Sequence, residues 1–393
     1  MNGRERIALA MQHKIPDRVP VMCQLSLGHY FLNAGLAPHE IWFTSEGFAE
    51  ALVNLQKRYQ FDGILINIPG RPNNILEKIQ HIQTTNEGEL ITWINGHVTL
   101  VPWDDNAQYI YSGRPDLKQR ADFNSIDPDH LENLDQFIGY IWNIYHIPWI
   151  EEKDDPGLLK DIPPYFYNTI DAVKSKVGNS ISIHGEVFSP FTHYLELFGY
   201  ENALRGLKKD NIKAKALLEQ LTVSAITWAV AQARHAVDAV LISSAFAGGG
   251  FISPKMYEEF VLPYEKKVVD AVKAEGVPIY THTCGKIGDR LELMAASGTM
   301  GIDTLDPPPL GNIELAEAKR LVGDRLFLKG NMNSVALLQY KTKQEVISEA
   351  SERILIGKEG GGYILSSACS IAPRVEPWKI ELFVPLAEEL GKY

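Results

Sequence analysis

Short, nearly unbroken apolar runs alternate with longer stretches of helical periodicity along most of the chain. Such runs read as parallel strands buried on both faces. Eight stand out: Val19–Leu25, Gly63–Asn67, Ile181–Glu186, Asp238–Ser243, Val277–His282, Gly301–Asp306, Arg325–Gly330 and Gly362–Ala368. Helical patterns lie before and between them, at 3–13, Ser45–Tyr59, 200–236, 258–274, 287–296, 312–321 and 343–356. Asn2, with Glu5 three residues on, reads as the cap of the first helix, and Ser253-Pro254 opens another. Eight strands with intervening helices predict a single α/β domain over 1–393, a (β/α)8 TIM barrel.

The rhythm breaks between the second and third strands. Residues 68–170 read as an inserted subdomain or lid. Within it, Leu90–Leu100 alternates around Asn95-Gly96, the signal of a β-hairpin with a type I′ turn. Trp103, Tyr109, Tyr111, Trp142, Tyr145, Trp149, Tyr165, Phe166 and Tyr167 follow. Aromatic density of this kind serves packing more often than recognition, but it can also wall a pocket for an aromatic substrate.

Composition narrows the classes. Of 393 residues, 45% are hydrophobic, enough for a large core, and the net charge of -11 argues against a nucleic-acid surface. No run of about 18 apolar residues exists, so no membrane span is expected. The N-terminal residues lack the apolar core of a signal peptide, and three cysteines (Cys23, Cys284 and Cys369) fit a reducing, cytoplasmic setting.

Candidate chemistry sits at the strand ends. His282 and Cys284, two residues apart, share a face at the end of the fifth strand, and Gly285 lets the chain turn. An imidazole beside a thiol suits zinc, and Cys369, beyond the eighth strand, is the further ligand candidate. The bland alternative is a hydrogen-bonded histidine with two buried thiols. Gln24, Asn67, Glu186, Ser243, Asp306 and Asn331 also fall at C-terminal strand ends, where barrel active sites collect. Glu186 and Asp306 are candidate acids; each could instead hold a loop. His184 shares a face with Glu186 and reads first as a satisfied core histidine. Gly248-Gly249-Gly250 lacks the lysine and spacing of a phosphate loop.

These residues carry a family resemblance. Val237-Asp238-Ala239-Val240, Ile252-Ser253-Pro254-Lys255-Met256-Tyr257, Leu262-Pro263-Tyr264, His282-Thr283-Cys284-Gly285 and Gly330-Asn331-Met332-Asn333 resemble the uroporphyrinogen decarboxylase superfamily from about residue 180 onward. Pro16-Asp17-Arg18-Val19-Pro20 is similar too; the insertion is not. The superfamily includes a decarboxylase of the haem pathway and zinc methyltransferases that work with corrinoid proteins. The decarboxylase's Arg-Gln-Ala-Gly-Arg-Tyr stretch is replaced here by Leu25-Ser26-Leu27-Gly28-His29-Tyr30, without either arginine. Near the C-terminus Cys369-Ser370 replaces His-Gly. His-x-Cys with a distant Cys marks the methyltransferases, so the resemblance implies zinc on His282, Cys284 and Cys369. It makes Asp306 the first candidate for a fourth ligand and Glu186 the second. Gln24 and Asn67, by their strand-end positions, and Asn331, by the family's Gly-Asn motif, are candidate substrate contacts, as is Tyr264; Tyr264, Tyr257 and His193 could line the mouth, though such residues are more often packing than chemistry. The implied activity is methyl transfer from an aromatic methyl ether to the reduced corrinoid (cobalamin) of a partner protein. A methylcorrinoid-to-thiol transferase shares the site. A porphyrinogen decarboxylase and a non-catalytic docking subunit are the readings from other classes.

Overall fold

The computed structural model describes residues 1–110, 120–131, 141 and 162–393. Among these described residues, eleven strands fall in two sheets. Seven form one parallel sheet in the order β1 (Gly63–Ile66), β6 (Ser182–Phe188), β7 (Ala239–Ser243), β8 (Ile279–His282), β9 (Gly301–Thr304), β10 (Phe327–Met332) and β11 (Tyr363–Ser367). The other four, β2 (Ile79–Thr84), β3 (Gly88–Trp93), β4 (Val98–Pro102) and β5 (Gln108–Ile110), form an antiparallel sheet. Among the described residues no helix is long and apolar enough to cross a membrane.

The parallel sheet is curled. A compact apolar cluster joins Leu65 on β1, Ala239 and Leu241 on β7, Tyr280 on β8, Phe327 on β10 and Ile364 on β11. Strands so far apart in the sheet can share one cluster only on its concave side. Met22 and, from the helix Gly3–Met11, Ile7, Ala10 and Met11 complete the cluster. Asn2 and Glu5 form the expected capping box at that helix's start.

The expected strand over Val19–Leu25 is not a ladder strand. It makes two isolated parallel bridges, Val21 to Leu365 and Leu25 to Ile371. On that side Met22 N–H donates to the Leu365 carbonyl at 3.0 Å and Leu365 N–H to the Pro20 carbonyl at 2.9 Å. On the other side, Asp62 N–H reaches the Val21 carbonyl at 2.8 Å. The Asp62 carboxylate, not a strand carbonyl, takes the Val21 N–H at 2.8 Å, which interrupts the ladder toward β1. The segment thus bonds to Leu365 of β11 on one side and, on the other, to Asp62, the residue before β1. Asp62 anchors it, pairing with Arg18 at 2.8 Å and Arg6 at 3.0 Å while only 3% exposed.

The other strands lie where the apolar runs predict, and the helix Ser45–Tyr59 has the expected ends. The 200–236 stretch is two helices, Tyr200–Lys209 and Asn211–Arg234. Asp210 leaves helical geometry between them, and its carboxylate accepts from Lys213 N–H. The helices Leu27–Asn33 and Pro38–Phe43 have seven and six residues, too short for periodicity to mark. The hairpin forms as β3 and β4, but Gly96 at φ 82° is the residue of Asn95-Gly96 with positive φ, so the turn is not type I′. Its sheet packs on the helix Pro38–Phe43: Trp42 Nε1 donates to Tyr109 Oη at 2.8 Å, and the Phe43 ring meets Trp93 edge-on. Tyr111, Trp142, Tyr145 and Trp149 lie outside the described residues.

If Asp62 holds the 20–25 segment, Asp62→Ala leaves the buried Arg18 guanidinium unpaired. The expected cost is about 3–5 kcal/mol in urea unfolding, the range for breaking a buried ion pair from one side. A loss under about 1 kcal/mol would show instead that apolar packing holds the segment.

Candidate metal centre

Parallel pairing sets the register of the functional residues. His282 pairs with Asp303, and Asp303 with Lys329, across β8, β9 and β10. On the other side of β8, Ser243 pairs with His282. Cys284 follows β8 and Cys369 follows β11 by two residues each. The curl brings those two ends together although β9 and β10 separate them.

His282, Cys284 and Cys369 meet, each offering an atom within 4.8 Å of the others. His282 Nε2 is 3.3 Å from Cys284 Sγ, and the two sulfurs are 3.6 Å apart. Donors held about 2.0–2.3 Å from one tetrahedral zinc ion lie about 3.5–3.8 Å from one another, close to this spacing. The other imidazole nitrogen faces away. Nδ1 is 2.9 Å from Asp303 Oδ2 and 2.9 Å from Thr304 Oγ1. A carboxylate behind the ring orients it and leaves Nε2 for a metal.

The electrostatics also favour a cation. Burial opposes charge on His282, yet Asp303 and Cys369 outweigh it and lift the imidazole to about 10. The hydrogen bond from the Cys284 thiol, with His282, holds Cys369 well below an ordinary thiol, while Cys284 is pushed up by that same bond to Cys369 and by burial. The pair therefore ionises one sulfur first. A metal would have to displace a proton from these groups, and their mixed nitrogen and sulfur donor set suits a soft or borderline cation. The residues fit zinc.

Backbone geometry supports the cluster. Gly285, at φ 76°, turns the chain after Cys284, and its N–H donates to Asp306 Oδ2 at 2.6 Å. Cys369 N–H donates to Ser334 Oγ at 2.9 Å. A Cβ at Gly248 would collide with the Cys284 carbonyl and one at Gly249 would crowd Lys286, so these two glycines serve close packing of one loop on the ligand loop. Thr304 and Leu305, both buried, take φ of 99° and 52°. A β-branched residue there is strained. It is the residue whose hydroxyl meets His282.

The remaining expected residues are dispersed. Asp306 is 5% exposed and burial raises its carboxyl to about 6, but it stays outside the three-residue ligand group and closes on Gly285. Glu186 lies near His282, and burial lifts it to about 7 despite the lowering effects of His282 and Ser243. It lines a narrow cavity of about 20 Å³, room for about one water, with Ile66, Asn67, Ile68, Phe166 and Trp228, where Phe166 and Trp228 meet edge-on at 4.4 Å. Asn67 Oδ1, Gln24 Oε1 and Asn331 Oδ1 are buried without a hydrogen-bond partner among the described residues. Asn331 Nδ2 donates to the Leu305 carbonyl at 2.9 Å. Tyr264 does not join this site. Its hydroxyl faces the Lys215 carbonyl at 3.5 Å in the packing of two outer helices, because its position on Leu262–Ala274 points toward Asn211–Arg234. Tyr257 is buried and donates to Glu265 at 3.0 Å. His193 is buried against Phe188. His184 contacts Ser182 Oγ at 3.0 Å and Tyr280 Oη at 2.8 Å, the satisfied core histidine.

Asp303, Thr304, Lys329 and Ser366 are absent from the expectations. Lys329 Nζ meets Asp303 Oδ1 at 2.8 Å and Ser366 Oγ at 3.3 Å. Burial alone would raise Asp303, but Lys329 and His282 bring it down to about 2. A signal existed: Asp303 and Lys329 each interrupt an apolar strand, and a charge inside such a run needs a partner.

The chain resembles known proteins in two ways. Residues 145–390 match the family model described as Uroporphyrinogen decarboxylase (URO-D). A uroporphyrinogen decarboxylase of Alcanivorax borkumensis is 28% identical over 240 residues, covering 58% of this chain and 65% of that relative. The methylcobamide:CoM methyltransferase MtbA of Methanosarcina acetivorans is 26% identical over 304 residues, covering 76% of this chain and 81% of that relative. The fold is shared with a methyltransferase from Methanosarcina mazei (TM-score 0.69, 18% identity, 99% of each chain).

Removing either sulfur should remove the metal. Elemental analysis of the zinc-supplied protein is expected to give about one zinc per chain, lost in Cys284→Ser and in Cys369→Ser with the melting curve retained. Full zinc in either variant would assign the metal elsewhere. Gly248→Ala should weaken zinc retention during dialysis against a chelator, since its Cβ displaces the Cys284 carbonyl; retention equal to the wild type would show that the two loops move independently.

Proposed function

The chain belongs to the uroporphyrinogen decarboxylase family, and within it we propose a zinc-dependent methyltransferase of the O-demethylase type. It would move a methyl group from an aromatic methyl ether to the reduced corrinoid of a partner protein. We read the curled sheet with the 20–25 segment as a (β/α)8 barrel whose C-terminal end carries this site. The observation that carries the proposal is the convergence of His282, Cys284 and Cys369.

The mouth also argues against an octa-acid substrate. The positions that would hold the decarboxylase's two arginines are Leu25, buried, and His29, wholly buried. Burial lowers His29 to about 4, and its nitrogens face Tyr59 Oη at 2.7 Å and the Pro373 carbonyl at 3.2 Å. Neither residue offers a cation to a carboxylate at neutral pH.

Zinc, held by His282, Cys284 and Cys369, would supply Lewis acidity at the ether oxygen, and the partner's corrinoid the nucleophile for the methyl carbon. The chain's own residues do the rest. Glu186, which burial lifts to about 7, would give its proton to the departing phenoxide or alkoxide. Phe166, Trp228 and the isoleucines wall the narrow cavity beside it, and the chemistry of that lining, not its volume, favours an aromatic ring over a small charged thiol. Asn67 and Gln24 have buried oxygens free for a donor on the substrate. Asp306 holds the Cys284-Gly285 turn.

One rival uses the same site. The similarity to a methylcobamide:CoM methyltransferase supports transfer from a methylcorrinoid to a thiol. Turnover separates the two: aryl methyl ethers with reduced cobalamin, against thiols with methylcobalamin. Thiol methylation without ether cleavage would replace the leading reading.

Glu186 sets a pH dependence. Its acid form is the donor, so ether cleavage is expected to fall as pH rises through about 7. Glu186→Gln should slow the ether reaction by about 10²–10⁴ and flatten that limb, with zinc content unchanged. An unchanged pH limb in the variant would assign the proton to another group.

A further inference from the structure

Two opposite charges lie inside the sheet, where barrel interiors of this kind are dominated by branched apolar side chains. Lys329 is 1% exposed and Asp303 2%, and Nζ reaches Oδ1 at 2.8 Å. A buried ion pair gives no stability advantage over apolar residues of similar volume, so its presence calls for another reason. Its position supplies one. The second oxygen of Asp303 lies 2.9 Å from His282 Nδ1, and His282 Nε2 faces Cys284. Adjacent strands hold this chain in register, His282 beside Asp303 and Asp303 beside Lys329.

We infer that Lys329 is a positioning residue for the metal centre, acting through Asp303 to fix the tautomer and orientation of His282. The inference rests on reading His282, Cys284 and Cys369 as metal ligands. Nδ1 has two neighbours at equal distance, Asp303 Oδ2 and Thr304 Oγ1. They ask different things of it. A hydroxyl can donate to Nδ1, which would put the ring proton on Nε2 and close that nitrogen to a metal. A carboxylate only accepts, which keeps the proton on Nδ1 and the Nε2 lone pair on the cluster. Lys329 settles the competition. Its ammonium pins Oδ1, with Ser366 Oγ as its second contact at 3.3 Å, so that Oδ2 stays aimed at the ring. Without the ammonium, the carboxylate would face dry surroundings with one oxygen unpaired. It would then turn, or leave Nδ1 to Thr304.

The test is zinc affinity of the full-length protein, measured by competition with a chromophoric chelator, beside melting curves. Wild type, Lys329→Met, Asp303→Asn and the double variant are compared. Lys329→Met is expected to bind zinc about 10–100-fold more weakly, the usual penalty for losing a group that orients a ligand. Since Lys329 acts through Asp303, adding Lys329→Met to Asp303→Asn should cost no further affinity. Wild-type affinity in a folded Lys329→Met protein would overturn the inference, as would fully additive losses. If Lys329→Met fails to fold, Lys329→Gln, which removes the ammonium but keeps a polar group in its place, carries the test: affinity at least tenfold weaker supports the inference, and wild-type affinity refutes it. A wild-type protein that takes up no zinc would instead remove the metal reading beneath it.

Discussion

Curvature of one parallel sheet is the constraint on which everything else depends. Cys284 and Cys369 follow strands that two others separate, yet their sulfurs stand 3.6 Å apart. In a flat sheet, strands about 4.8 Å from each neighbour would hold these ends well beyond reach. The same curvature gives Leu65, Leu241, Phe327 and Ile364 a common interior cluster. Apolar packing on the concave side and ligand convergence at its mouth are therefore two results of one bend. The 20–25 segment, held by Asp62, fastens the edges of that bend.

Within the curl, polarity is arranged by depth. An apolar layer around Tyr280 and Phe327 sits beside the first helix. Farther along the strands come His282, Asp303, Lys329 and Ser366, linked by short contacts through four adjacent strands. Beyond the strand ends lie the two cysteines. Each charged group in this band has a counterpart, as low-dielectric surroundings require. Among the described residues, the buried atoms without a partner include neutral acceptors on Gln24, Asn67 and Asn331, where a substrate could satisfy them.

Members of one family need not share one chemistry, because function resides in the site and not in the fold. Here the residues that separate the possibilities are few. A buried neutral His29 and a buried Leu25 cannot pair with carboxylates, whereas a His-Cys-Cys cluster has a clear use in binding a metal. Glu186, lifted by burial to about 7, lies beside the narrow cavity walled by Phe166 and Trp228.

Local pattern determined a good deal. Continuous apolar runs located the seven ladder strands, because strands buried on both faces must be apolar throughout. The two-residue spacing of His282 and Cys284 put both on one face, because side chains alternate along a strand. The resemblance pointed to Cys369 as their partner. Only the tertiary structure decided the rest. Tyr264, within a matching motif, turned outward because helix packing chose its face. The segment over Val19–Leu25 lost its ladder because the Asp62 side chain took a backbone donor. Asp303 and Lys329 were visible as charges within apolar runs, but that they answer each other, and that one orients His282, follows from register between neighbouring strands. Register is a relation between distant parts of the chain, and the residues of one strand do not contain it.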